Sequence, residues 1–315
     1  LGIIDSVSDG YVTVNRRFEI LLIPVILDLY LWLGPKLSVA GLIRQVADGL
    51  ATPPELGAEY QGAIQEAQAV LVEAGEGFNL FSVAVPSFLG VPGLIVGGEA
   101  DLVSRQVVEI QSVWLLAAIV IALLLFGTLL GAIFLSMLAS QVRHEERLSA
   151  DLPSRIGKLW LRLVSLGAVL FALAVVVAVP GSLLLGVAML IHPALGSMLL
   201  GMAWIVVFWF AIYLIFLIQS LVINEVGLRK AFYISISVLR RNLWPVLGMI
   251  LVVQLVGMGM PIVWRYLTRY TWGTPLGILG NAYIGSGLAA ALLIFYRDKF
   301  SQWTSQTAHN EEARA

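Results

Sequence analysis

From Leu163 to Asn224 the chain runs for 62 residues without one Asp, Glu, Lys or Arg. A bilayer core takes about 20 apolar residues per helix, so this run exceeds one crossing and must fold back. Pro180-Gly181 and His192-Pro193 through Gly196 are the available breakers. The pattern predicts two helices, about 160–190 and 197–223, joined by a very short turn.

The rest of the composition agrees. The chain of 315 residues is 59% hydrophobic and 12% charged, with a mean hydropathy of +0.91. Soluble domains carry about 25% charge. Half of that cannot cover a water-exposed surface, so a soluble enzyme and a disordered chain are both excluded. The net charge of −1 supplies no basic field for nucleic acid, and the absence of cysteine removes thiolate chemistry.

Further charge-free runs are Ser112–Gln141, Asn242–Trp264 and Tyr270–Tyr296. Phe18–Gly34 is apolar but carries Glu19, Pro24 and Asp28. The expectation is an all-α polytopic bundle of six transmembrane helices, about 16–35, 112–139, 160–190, 197–223, 242–264 and 275–297. Trp32, Trp114, Trp160, Trp244, Trp264 and Tyr296 lie near the proposed ends, as in an aromatic belt. The division is 1–35 for an interfacial helix and first span, 36–111 for an extracytoplasmic segment, 112–297 for five spans, and 298–315 for a polar cytoplasmic tail.

With both termini inside an inner cell membrane, 14 Lys and Arg face the cytoplasm and 5 face out. A seventh span at 78–98 with the N-terminus outside gives the same 14 to 5, so charge does not decide. Pro86, Pro92, Gly90, Gly93, Gly97 and Gly98 favour a re-entrant or interfacial segment there. Residues 1–15 are too polar for a signal-peptide core.

Segment 36–111 holds nine acids against three bases. Thr52-Pro-Pro-Glu55 reads as a capping box, and an amphipathic helix is expected over 53–74. Its apolar stripe is Leu56, Tyr60, Ile64, Ala67, Leu71 and Ala74, with Glu59, Glu66 and Glu73 on another face. An acidic row at heptad spacing is a solvated face rather than a cation site, since its members do not converge.

Residues 143–162 and 224–241 are basic connectors, and in the second Leu228, Phe232, Ile236 and Leu239 share a face. Arg229, Lys230, Arg240 and Arg241 stand at its two ends and are candidates for anionic lipid head groups, at about 1 kcal/mol each. The alternative is the generic topology signal. A similar N-terminal run is Ile4, Val7, Tyr11, Val14 and Phe18.

Ionisable groups at bilayer depth are functional candidates. Asp28 is the clear case, with Gln254 matched to it in depth and Asn281 somewhat further out. No catalytic or metal motif is present, His144, His192 and His309 are scattered, and no cofactor is implied. Ala188-x-x-x-His192-x-x-x-Gly196 has pigment-site spacing, but a turn histidine is the simpler reading. Gly127-x-x-x-Gly131 and Gly277, Gly280, Gly285 and Gly287 permit close helix contact.

Ala231, Ser235, Val238, Asn242 and Trp244, and the ending NAYIGSGLAAALLIFYRDKF, carry a resemblance. The chain resembles the YciC-like group of six-helix membrane proteins and the membrane domain found with glycerophosphodiester phosphodiesterases. The resemblance covers the last third and implies a six-helix bundle. The soluble phosphodiesterase domain is absent, so no catalysis carries over. The expected function is a non-enzymatic scaffold or accessory subunit, with membrane lipids and other membrane subunits as partners. The alternative is a transporter permease with a coupling helix at 225–241.

Overall fold

The structure, a computed structural model, describes residues 2–49, 58–95, 106–143, 151–268, 270 and 272–312, with side chains at all of these but 58–61, 63 and 306–312. The expected capping box at Thr52–Glu55, and also His144, lie outside the described residues. The helices are α1 (Ile3–Arg16), α2 (Leu22–Leu33), α3 (Ala40–Gly49), α4 (Ala58–Gly77), α5 (Val113–Val142), α6 (Leu152–Ile191), α7 (Pro193–Ile223), α8 (Leu228–Arg241), α9 (Leu243–Leu267) and α10 (Gly273–Glu312). Two strands, β1 (Lys36–Ser38) and β2 (Val107–Glu109), are added. Among the described residues α5, α6, α7, α9 and α10 are long and apolar enough to cross a membrane.

The first expected span, 16–35, is not one helix. A 3-10 turn at Phe18–Leu21 separates α1 from α2, whose 12 residues rise only about 18 Å. Pro24 is the physical reason: it has no N–H to give Ile20, and its ring suits the first turn of a helix. A helix pair, Ile64–Gly77 and Leu80–Leu89, passes the membrane test together but is bent by 72°.

The chain divides into two compact units, and α1, α5, α9 and α10 contribute residues to both. The hairpin unit comprises Leu1–Thr13, Leu135–Val253 and Leu288–Ala315. Here α6 runs 40 residues, straight through Pro180, to Ile191. The only break before α7 is His192, whose Nδ1 accepts from Ala194 N at 3.2 Å while Pro193 takes the first helical position. A Cβ on Gly196 would fall within 3 Å of Met189, so glycine lets the two helices close at the apex. The 188–192–196 spacing is thus hairpin packing with His192 as a helix cap.

At the other end of α7 lies the core of this unit. Ile212 and Phe216 of α7 meet Ile234, Val238 and Leu239 of α8, Val246 and Met249 of α9, and Ala291, Phe295 and Tyr296 of α10. The buried face of α8 is Ala231, Ile234, Ser235, Val238 and Leu239, whereas the expected Phe232 is exposed. Ser235 Oγ donates to Tyr213 O at 3.1 Å, which satisfies the one hydroxyl on that face.

The strap unit comprises Val14–Phe134 and Gln254–Gly287. The all-helical expectation missed a parallel ribbon in which Lys36, Leu37 and Ser38 pair with Val107, Val108 and Glu109. Parallel pairing needs a long crossover, and residues 39–106 supply it, so the ribbon closes the segment at its base. Asn79 Oδ1 fastens the crossover to it, accepting from Leu37 N at 3.1 Å and Phe81 N at 3.2 Å.

The 20-residue α4 packs on α3 along Ile64, Gln68, Val72 and Gly75. A Cβ on Gly75 would come within 3 Å of Ile43, and Gln68 Nε2 donates to Ala47 O at 2.8 Å. The expected stripe is therefore rotated by about one residue: Ala67, Leu71 and Ala74 are exposed, as are Glu66 and Glu73.

Candidate functional site

Residues 79–95 form a strap of two 3-10 turns and extended backbone, with Leu80, Ala84, Val85, Leu89, Val91 and Leu94 buried. Irregular backbone exposes N–H and C=O groups that a helix would pair internally. At membrane depth such backbone is tolerated only where protein surrounds it. Two features of the sequence meet that demand.

The first is glycine. The small-residue positions expected to join helix to helix mostly receive this strap. A Cβ on Gly127 would strike the Ala84 carbonyl, one on Gly131 would meet Leu89 and Pro86, and one on Gly285 would meet the Pro92 ring. Gly277 faces Leu94 at a distance of 3.1 Å from its ideal Cβ and also the Trp264 carbonyl of α9 at 3.6 Å, and Gly280 meets the Trp264 ring.

The second is Asp28. It lies with Pro24, Leu31 and Trp32 on the buried face of α2 and is fully enclosed, with 0% relative exposure. Its carboxylate accepts from Leu94 N at 2.8 and 3.1 Å and from Ile95 N at 3.1 Å. Leu31, Trp32, Val85, Leu94, Ile95 and Ile278 close over this clasp as one apolar cluster. A buried carboxylate without donors would cost several kcal/mol, and two successive N–H groups left bare would cost about 1–3 kcal/mol each. The same three hydrogen bonds offset both costs.

The depth-matched Gln254 is not the partner of Asp28: it is exposed, and the described hydrogen bonds of Asp28 go to the strap backbone. Depth along two helices says nothing about the direction in which each side chain points. Asn281 is buried, at 6% exposure. Four other buried polar atoms of this unit, Trp32 Nε1, Trp264 Nε1, Thr274 Oγ1 and Ser286 Oγ, have no hydrogen-bond partner among the described residues.

In the hairpin unit, Arg229, Lys230, Arg240 and Arg241 are all exposed at the two ends of α8. Phe232 and Tyr233 project between them at 48% and 67% exposure. The other basic connector, 143–162, is expected from the sequence as a run of charge and not as a site. Arg143, Arg155, Lys158 and Arg162 line one cleft beside Glu225. Three of these repeat at i, i+3 and i+7 on α6, which was the signal available for it. Among the described residues no group of three or more His, Asp and Glu is placed to hold a metal ion.

Compared with known proteins, the chain matches no family model, no curated protein and no solved structure.

Proposed function

We propose that this chain is a non-enzymatic, multi-pass membrane protein that serves as a scaffold or accessory subunit of a larger membrane assembly. One observation carries the reading. From Gly167 to Ala211, along α6 and α7, only Ala188 and Gly196 are buried. Phe171, Leu183, Leu190 and Trp204 are each exposed by two thirds or more. A helix inside a bundle turns one face to its neighbours. Over this length the two helices touch each other but turn no buried face to the rest of the chain, which is what an element made to join another helical protein requires.

In this reading residues 36–111 lie on the non-cytoplasmic side, and the 143–158 and 224–241 connectors lie in the cytoplasm with both termini. The α8 cations and aromatic rings rest on anionic head groups of the inner leaflet. The YciC-like resemblance of the last third fits a six-helix bundle in which residues 16–35, the 3-10 turn and α2 together, supply the remaining crossing.

Native mass spectrometry after mild solubilisation tests the reading. The expected result is a heteromeric assembly that a single Cys at Leu183 cross-links to a different membrane protein. A monomer with lipid alone, and no cross-linked product, would overturn it. The chain has no cysteine, so labelling is clean. An impermeant thiol reagent added outside should modify Gln65→Cys and spare Tyr233→Cys. The reverse pattern would invert the topology.

The second reading, a permease, rests on the buried Asp28 and on the polar atoms of the strap unit that have no partner among the described residues. It predicts that Asp28→Asn folds and assembles normally yet abolishes a measurable flux.

A further inference from the structure

The cleft beside Glu225 is built unlike an ordinary positive-inside cluster. Arg143 Nη1 donates to Glu225 Oε1 at 2.7 Å, and Arg155 Nε stands 3.8 Å from the same oxygen. Glu225 sits just past the end of α7 in the left-handed region, φ 51°, the only non-glycine there among the described residues. That conformation is uncommon for a residue with a Cβ. It places one carboxylate where it orders two guanidinium groups.

Lys158 and Arg162 continue the row along α6. Neither makes an ion pair among the described residues. Arg162 is half-buried and Lys158 exposed. The cleft is small and open to solvent, and its floor is apolar, formed by Leu159, Leu221 and Val222. Among the described residues four cations therefore surround one acid above a floor that continues into the apolar length of α6 and α7. The first turn of α6 also lines the cleft through Leu152, so the positive end of a 40-residue helix adds to the field.

We infer that this cleft binds a phosphate group, with Lys158 and Arg162 as its direct partners and Glu225 holding Arg143 and Arg155 in position. Arginine forks and a lysine point charge are the groups that recognise phosphate oxygens. The apolar floor suits the glycerol and upper acyl carbons of a phospholipid. A free phosphate would use the same cations and leave the floor uncovered.

The test is a native mass-spectrometric titration of the full chain, released from detergent, with dioleoyl phosphatidate, alongside calorimetric titration with inorganic phosphate. The expected result is one saturable phosphatidate per chain. Binding should fall at least tenfold in Lys158→Gln/Arg162→Gln and return in Lys158→Arg/Arg162→Lys. Both side chains lie at the surface without described ion pairs, so the thermal midpoint should stay unchanged and report intact folding. If inorganic phosphate alone binds and displaces the lipid, the source is free phosphate. If it does neither while phosphatidate saturates, the source is the lipid. Wild-type affinity in the Gln pair, or no saturable binding of either probe to the native chain, would overturn the assignment.

Discussion

Two helices of this chain have the same length and opposite surroundings. Both α6 and α10 run 40 residues. In the most apolar stretch of α10, 67% of the residues are buried, and in that of α6 only 11%. What the small residues face accounts for the difference. The α10 sequence interleaves Gly277, Gly280, Gly285, Ala282 and Ala289–Ala291 with its large residues. Small residues let backbones approach closely in lipid, where hydrophobicity gives no drive for helices to associate. The α6 sequence is dominated by Leu and Val, and Gly167, Gly181 and Gly186 have nothing within 4 Å of an added Cβ. The more apolar helix is the less buried one, the reverse of a soluble core.

If the burial of α10 depends on the strap it receives, the largest effect should come from releasing the strap. Asp28→Ala leaves the N–H groups of Leu94 and Ile95 bare, at about 1–3 kcal/mol apiece. Asp28→Asn keeps one acceptor oxygen and should lose roughly half as much. Hydrogen exchange at the two amides, with thermal unfolding in detergent, measures this. Unchanged protection at Leu94 and Ile95 in Asp28→Ala would remove the clasp from the account.

Next come the glycines themselves. Gly285→Leu drives side-chain atoms into the Pro92 ring, and overpacking of this kind costs about 1–3 kcal/mol. Gly186→Leu on α6 adds the same atoms where nothing stands within 4 Å, so its midpoint should hold or rise slightly. Equal losses at both positions would break the comparison between the helices.

The base of α10 offers a smaller effect. Tyr296 is fully buried, and its Oη accepts from Asn224 Nδ2 at 2.8 Å beside the Phe216 ring. Tyr296→Phe retains the packing and removes the hydrogen bond, for a loss of about 1 kcal/mol. Unfolding of Tyr296→Phe against the parent chain reads it directly.

The contrast also shows which features a sequence announces. Charge-free length made the turn between α6 and α7 and the far end of α7 legible to within a few residues, because a run of 62 uncharged residues admits few solutions, although α6 begins at Leu152 and not near 160. Asp28 stood out as an acid among apolar neighbours, yet its partners did not. They are backbone N–H groups 66 and 67 residues away, and backbone donors leave no mark in a residue pattern. The same limit hid the β ribbon: two three-residue strands, one with an exposed face throughout, carry too little alternation to register. The glycines were visible as small residues, but spacing alone does not say whether a helix or an irregular strap fills the notch. The phosphate cleft was scattered across 136–225 and assembled only when α5, α6 and α7 were in place.

The smallest effect on folding is expected where the surface is most apolar. Leu183 and Leu190 are 68% and 88% exposed, so truncating either to Ala removes no packing from this chain. Surface changes of that kind fall within about 0.5 kcal/mol. In a buried site the same Leu→Ala change would cost about 2–5 kcal/mol. Leu183→Ala/Leu190→Ala should therefore leave the midpoint of the isolated chain unchanged. If the hairpin joins a second protein, the same pair of truncations lands in a buried interface. The cost then reappears as lost assembly, read as a weaker cross-link from a Cys at Trp204 and as fewer heteromeric ions. A double variant that unfolds the isolated chain would mean the hairpin packs within its own chain. One that changes neither folding nor assembly would leave lipid as its only neighbour, and α6 and α10 would then differ in exposure without differing in role.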